Sequence, residues 1–123
     1  MNKKLNALYH QIGGEARLRL ILRDFYHRMA EDLLIGYFFQ GKDPNVIADQ
    51  QLLFLMYAMG ILPSYSGKSP TSAHLELPTI HTGHFDRRLV LLRETLQSHQ
   101  VQARDIETWI DFEEAFRGVV VSI

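Results

Sequence analysis

Apolar residues recur at intervals of three and four along most of the chain, which is the spacing of one face of an α-helix. Two stretches show it most clearly: residues 15–32, with Leu18, Leu22, Phe25 and Met29, and residues 82–99, with Phe85, Leu89, Leu92 and Leu96. No segment alternates convincingly between apolar and polar residues with a period of two, as a half-buried strand would. The pattern therefore predicts an all-α fold.

Glycines, prolines and capping residues divide the rest of the pattern into further helices. A short helix over 5–10 precedes a glycine pair, residues 33–39 form one or two tight helical turns, and a last helix runs from 103 to about 120. Asp43 and Pro44 are typical of a helix start, and Thr82 is the predicted cap of the helix over 82–99. In the last helix the predicted buried positions are Ile106, Trp109 or Ile110, Phe116 and Val119.

The helix predicted over 44–62 is apolar nearly all round from residue 52 onward, so we expect it to be central. Gln51 is a polar exception, because it falls on the same stripe as Ile47, Phe54 and Ala58. An amide in line with core residues needs a hydrogen-bond partner. The spacing alone leaves open whether that partner is the backbone or a bound ligand.

An irregular segment follows this helix and leads to a single histidine. Pro63, Gly67 and Pro70 keep the chain out of a helix until Thr71, from which a short turn can present His74 to the apolar interior. Taken alone, this segment indicates only an ordinary core or surface histidine. A functional role for His74 is indicated only by the rest of the chain.

Composition limits the classes of protein that this sequence can form. The chain has 123 residues, of which 46% are apolar and 22% charged, with a net charge of −1 and no cysteine. These values predict one globular domain, residues 1–123, with no disulfide and no thiolate metal site. No basic cluster suggests nucleic acid, and no apolar run suggests a membrane span or signal peptide. We therefore expect a cytoplasmic protein.

One loop histidine, together with a tyrosine and a glutamine on two other helices, predicts a pocket for a flat apolar cofactor, with haem as the obvious candidate. Haem iron needs an imidazole, an apolar slot and a few donors on its opposite face. A zinc site formed by His74, His81 and His84 is the alternative, but the spacing matches no common pattern. No serine or carboxylate pair has a spacing that indicates catalysis, so no catalytic residue is assigned.

Seven short segments occur in the same order and at similar separations in a known family. They are 8–14 (Leu-Tyr-His-Gln-Ile-Gly-Gly), Phe25-Tyr26, 38–41 (Phe-Phe-Gln-Gly), Phe54-Leu55 with Ala58 and Gly60, 65–68 (Tyr-Ser-Gly-Lys), Ala73-His74 and His84-Phe85. Through them nearly the whole chain resembles the truncated haemoglobins, whose fold is a two-over-two helical sandwich. Segments 74–78 and 84–87 resemble the third subgroup, whereas the glycine pair and Gln51 resemble the first.

The resemblance implies a role for individual residues. His74 corresponds to the proximal ligand of a haem b iron, Tyr26 and Gln51 to distal donors that stabilise a bound ligand, and Ile47 to a further distal position without a donor. The implied haem pocket comprises Phe25, Tyr26, Phe38, Phe39, Ile47, Gln51, Phe54, Tyr65, Lys68, Phe85 and Arg88. Phe39 would pack on the porphyrin, while Tyr65 and Lys68 could meet the propionates.

Arg88 departs from the pattern, because third-subgroup relatives carry tryptophan there. The helical period places it at the margin of the apolar face. We expect its head to lie in water or on a propionate, and the alternative is a donor inside the pocket that favours anions or peroxide chemistry.

The function implied by the resemblance is reversible binding of O₂, NO, CO or another small ligand. Removal of NO or peroxide would need a separate reductase, since the chain leaves no room for a flavin domain. The alternative from another class is a haemless interaction or sensor module with the globin fold.

Overall fold

The structure is a computed structural model, and it describes residues 3–67 and 77–121. These residues form helices and connecting turns, with no strand among them, which confirms the all-α prediction. The helices are α1 (Lys3–Ile12), α2 (Gly14–Glu31), a 3₁₀ helix (Gly36–Phe39), α3 (Pro44–Ala58), α4 (Thr82–Ser98), α5 (Ala103–Glu114) and α6 (Arg117–Val120). Within the same two ranges, no helix is long and apolar enough to cross a membrane.

Helix α2 is the centre of the packing. It contacts α3, α4, α1 and the 3₁₀ helix, while α1 and α4 each pack against α5. The predicted stripe of Leu18, Leu22, Phe25 and Met29 is fully buried, and this prediction is confirmed. Apolar side chains at this spacing lose most of their contact with water when neighbouring helices cover them, and each contributes about 1.5–3 kcal/mol.

The start of α3 was predicted correctly, but its end was not. The Asp43 carboxylate accepts a hydrogen bond from the Asn45 backbone N–H (2.9 Å), and Pro44 lies in the first turn. The helix ends at Ala58 rather than at residue 62, because Gly60 has a left-handed φ of +78°. The Ile61 backbone N–H then reaches the Met56 carbonyl (2.8 Å), which satisfies an end carbonyl of the helix.

The expectation that α3 is central, because it is apolar nearly all round from residue 52, holds for one side of the helix only. Leu52, Leu55 and Met56 are buried, whereas Leu53 and Tyr57 point to the surface. Neighbouring helices cover one side of α3, and the apolar residues on its other side remain exposed.

Three further boundaries differ from the predictions. Helix α1 extends two residues beyond 5–10 at each end, and the cap position of α4 is His81 instead of Thr82. The backbone N–H of His81 donates to Nδ1 of His84 (3.0 Å), so the first turn of α4 is closed by a histidine.

The last predicted helix is divided by a turn at residues 115–116 into α5 and α6. Trp109 and Ile110 are both buried, as is Ile106, but Phe116 is only half-buried. Val119 was predicted to be buried and is exposed, because the turn changes the direction of the chain after α5 and breaks the helical period.

Candidate cofactor site

A cavity opens between the end of α2, the 3₁₀ helix, the start of α4 and α6. Together with its mouth it contains about 420 Å³ of empty space. Its walls are mostly apolar: Met29, Ile35, Phe38, Phe39, Leu77, Ile80, His84, Phe85, Arg88 and Val120. An apolar lining with few polar groups is the chemistry expected of a cofactor site.

Asp32 holds the 3₁₀ helix of the cavity wall in place. Its Oδ1 accepts from Nε and NH2 of Arg87 on α4 (3.0 and 2.7 Å), and its Oδ2 accepts from the backbone N–H groups of Leu34 and Ile35 (3.0 and 3.2 Å). The Arg87 guanidinium holds the pKa of the Asp32 carboxyl below its usual range. One carboxylate therefore joins the end of α2, the 3₁₀ helix and α4.

Tyr26 lies directly behind this wall. Only 5% of it is exposed, and its ring meets the Phe25 ring at 5.4 Å and the Phe39 ring at 6.0 Å, both edge to face. Phe39 itself lines the cavity. The structure thus brings four predicted residues, Phe38, Phe39, Phe85 and Arg88, to the cavity wall, with Phe25 and Tyr26 next to them.

Arg88 does not take the predicted position at the rim with its head in water. Its side chain is 21% exposed, and Nε and NH2 donate to Oε2 of Glu113 on α5 (3.2 and 3.1 Å). Glu113 is 7% exposed, and its Oε1 accepts from Nε1 of Trp109 (3.2 Å). The expected position in water is wrong because the prediction considered α4 alone, and α5 supplies a buried carboxylate that stabilises the interior position. A contact with a haem propionate stays a prediction.

Arg88 keeps its positive charge in this position. Burial is the largest influence and lowers the pKa of the guanidinium, but the Glu113 carboxylate and the Tyr26 hydroxyl together outweigh it and raise the pKa of Arg88 above its ordinary value. The guanidinium also lies over the Phe25 ring (5.0 Å to the centroid) and the Tyr26 ring (5.8 Å). Such cation–π contacts stabilise a partly desolvated cation.

The other predicted residues within the described ranges lie away from this cavity wall. Phe54 contacts the Tyr65 ring at 5.4 Å and the Phe116 ring at 5.9 Å, and burial raises the pKa of the Tyr65 hydroxyl. Ile47 and Gln51 are half-buried on α3. Within residues 3–67 and 77–121, the structure gives the Gln51 amide no hydrogen-bond partner, so the backbone alternative finds no support there and the ligand alternative stays a prediction.

His74 and Lys68 lie outside the described residues, so their predicted roles stay predictions. His84 lines the cavity, with Nδ1 accepting from the His81 N–H and Nε2 facing the Tyr37 hydroxyl (3.4 Å). The described part of the chain contains no group of three or more histidine, cysteine, aspartate or glutamate side chains that could hold a metal ion.

Sequence reasoning missed the roles of Glu113 and Asp32 at this site, and Glu113 left a signal. Glu113 continues the apolar stripe of α5, four residues after Trp109, so it is a carboxylate at a core position. A charge at such a position needs a buried partner, and Arg88 is an arginine at the margin of the apolar face of α4. Asp32 left no comparable signal, because its partner Arg87 is 55 residues away.

Comparison with known proteins identifies the family. The family model described as bacterial-like globin matches residues 7–122. The chain belongs to the bacterial-like globin family.

Its relatives are truncated haemoglobins. A group 1 truncated haemoglobin from Synechocystis is 34% identical, and the match covers 67% of this chain and 68% of its own length. A group 1 truncated haemoglobin from Tetrahymena pyriformis is 31% identical, and the match covers 79% of this chain and 78% of its own length. A group 1 truncated haemoglobin from Chlamydomonas moewusii is 30% identical over 81% of this chain, and the match spans 59% of its own length.

Solved structures of this family share the fold. The Fe(III) form of the Tetrahymena pyriformis truncated haemoglobin has a TM-score of 0.83 at 27% identity, covering 93% of this chain and 97% of that one. The 2/2 haemoglobin from Synechococcus, in the cyanomet state and with covalently attached haem, has a TM-score of 0.79 at 26% identity, covering 91% and 94%. The fold is the two-over-two helical globin fold, as predicted.

Membership of the globin family implies haem binding and the binding of small diatomic ligands such as O₂. The described part of the site fits a haem group, because three phenylalanines and several aliphatic side chains form walls against which a flat apolar ring can pack. The buried Tyr26 next to Phe39 provides a hydroxyl near these walls.

Proposed function

We propose that this globin holds haem b through His74 and reversibly binds O₂ and other diatomic ligands, with Tyr26 and Gln51 as donors to the bound ligand. Haem iron supplies an open coordination position at which such ligands bind reversibly. The observation that carries the proposal is the buried Tyr26 ring against Phe39, beside an apolar cavity within a globin fold.

A comparison of spacings supports the roles of Tyr26 and Gln51. The Tetrahymena truncated haemoglobin has been solved with one tyrosine replaced by phenylalanine and, separately, with either of two glutamines replaced by glutamate. Those two glutamines follow the tyrosine by 21 and 25 positions, as Ile47 and Gln51 follow Tyr26 here. Ile47 cannot donate a hydrogen bond, so we propose that Tyr26 and Gln51 are the polar pair in this chain.

The chain contains no cysteine, so thioether attachment of haem, as in c-type proteins, cannot form. We propose that the haem is haem b bound without any covalent link to the protein, and acid butanone should therefore extract it. Removal of NO or peroxide at the same site would require electrons from a separate reductase. This activity is tested by measuring the consumption of NO or peroxide with and without a reducing system.

The test of the axial ligand uses protein purified with adequate haem supply. Wild type should show a Soret band, and His74→Gly should lose the native ferrous spectrum and partly regain it with added imidazole. His84→Gly is the matched variant, because His84 is the histidine in the described cavity lining. If His84→Gly loses the native spectrum and His74→Gly keeps it, the proposed ligand is wrong. If wild type binds no haem, the chain is a haemless globin module.

A further inference from the structure

Arg88 is the one permanently charged side chain among the described residues that line the cavity. Its partner Glu113 is not part of that lining, and the Glu113 carboxylate also accepts a hydrogen bond from Nε1 of the buried Trp109. The ion pair is therefore a dipole whose positive end is closer to the cavity. A ligand in the cavity would experience the cation more strongly than the carboxylate, since Coulomb energy falls with distance.

The guanidinium still has donors to offer on the cavity side. Glu113 takes Nε and NH2, whereas NH1 contacts the Met29 sulfur at 3.6 Å. A thioether sulfur is a weak acceptor, so a better acceptor in the cavity would gain a stronger hydrogen bond from NH1. Met29 is itself a cavity-lining residue, and so NH1 lies at the wall.

The position of the cation is also well defined. Two hydrogen bonds to one carboxylate oxygen and the rings of Phe25 and Tyr26 restrict the guanidinium from different sides. A charge that is already oriented stabilises a bound anion with little reorganisation. Because Tyr26 is the proposed donor to the ligand, the cation lies beside the place where a ligand would bind.

We propose that Arg88 makes the ligand site of this globin favour small inorganic monoanions, such as azide or nitrite, over neutral ligands. The proposal rests on the haem binding proposed above. Glu113 sets the strength of the effect, because its negative charge partly offsets that of Arg88. Removal of the Arg88 charge should therefore lower anion affinity, and removal of the Glu113 charge should raise it.

The experiment measures equilibrium binding of azide, and of imidazole as a neutral probe, to the ferric haem-loaded protein. Arg88→Gln should weaken azide binding about tenfold, equivalent to about 1.4 kcal/mol, and change imidazole binding less than about threefold. Glu113→Gln should strengthen azide binding, because the amide leaves the guanidinium charge uncompensated. Arg88→Lys keeps the charge and should stay within about threefold of wild type for azide.

A second readout does not depend on ligand binding. The reduction potential of the bound haem should fall in Arg88→Gln and rise in Glu113→Gln, since a nearby positive charge favours the ferrous state. A purely structural role of the pair predicts instead that both substitutions loosen the pocket and weaken azide and imidazole binding alike, and this result would overturn the proposal. If Arg88→Gln does not fold, the direction of the change in azide affinity in Glu113→Gln tests the proposal: a higher affinity supports it and a lower affinity overturns it.

The outcomes also separate this proposal from the proposed function. A wild-type protein without a Soret band overturns both. A protein that binds haem but shows equal changes for azide and imidazole leaves the proposed function standing and removes the anion preference.

Discussion

Asp32 provides the sharpest test of how the cavity wall is held. Asp32→Ala would remove the bonds from Arg87 and the bonds from the Leu34 and Ile35 backbone N–H groups in one step. The Asp32 side chain is only 8% exposed, so water cannot readily replace it. The segment leading into the 3₁₀ helix that carries Phe38 and Phe39 would then lose its charged link to α4, and the contacts of Tyr37 and Phe38 with His84 would remain.

The expected loss of stability follows from these bonds. Capping of free backbone N–H groups by an aspartate contributes about 1 kcal/mol. A hydrogen-bonded charge pair contributes about 1.5–3 kcal/mol, and the lower part of that range applies because the Arg87 side chain is 36% exposed and partly screened. We expect Asp32→Ala to lower the free energy of unfolding by about 2–3 kcal/mol. Asp32→Asn keeps an acceptor for the backbone and should lose about half as much.

The measurement is urea unfolding of the haem-free protein, followed by circular dichroism. Asp111→Ala is the matched control, because Asp111 is an exposed aspartate on α5 and its loss should cost less than about 0.5 kcal/mol. An Asp32→Ala variant within 1 kcal/mol of wild type would show that the wall does not depend on this carboxylate. Equal losses in Asp32→Ala and Asp32→Asn would show that the backbone bonds contribute nothing.

The pH dependence of this effect has a definite sign. Arg87 lowers the pKa of Asp32 in the folded state, so folding favours the ionised carboxylate. Its contribution is fully present above the unfolded pKa, about 3.9, and is lost as the pH falls through the lower folded pKa. The stability difference between wild type and Asp32→Asn should therefore stay constant from pH 7 to 5 and shrink below about pH 4. A difference that grows on acidification would contradict this.

Three further predictions concern a close approach, a cap and the ligand. A Cβ at Gly36 would lie 2.6 Å from the Ala30 carbonyl oxygen, so Gly36→Ala should lower the free energy of unfolding in urea by about 1–3 kcal/mol. The control is Gly83→Ala, which should be neutral or stabilising because nothing lies within 4 Å of the added Cβ. Asp43→Ala removes the cap of α3 and should cost about 1 kcal/mol in the same assay. Tyr26→Phe should speed O₂ release about fivefold to a hundredfold in stopped-flow measurements and CO release much less. Equal effects on both gases would indicate a steric role.

The sequence by itself determined the helical class and the core face of α2. Both depend on the spacing of apolar residues along one helix, and that spacing is a local property. The N-terminus of α3 was equally predictable, because Asp43 and Pro44 act within a single turn. The order of the short segments pointed to the truncated haemoglobins, and the family comparison confirmed it.

The apolar pattern alone did not determine where α3 ends or where the last helix breaks. Gly60 ends α3 through a left-handed turn, although apolar residues continue to Leu62. A run of apolar residues shows that a segment can be buried, but it does not show which neighbours will cover it. For this reason Leu53 and Val119 are exposed despite their apolar side chains.

Only the tertiary structure decided the position of Arg88. Its helix places it at the edge of an apolar face, where water and the interior are both accessible. The choice depends on Glu113, which is 25 residues away in sequence and reaches Arg88 because α4 packs against α5. A buried charge is stable only beside an opposite charge. That partner is a property of the packing, and no pattern within α4 can supply it.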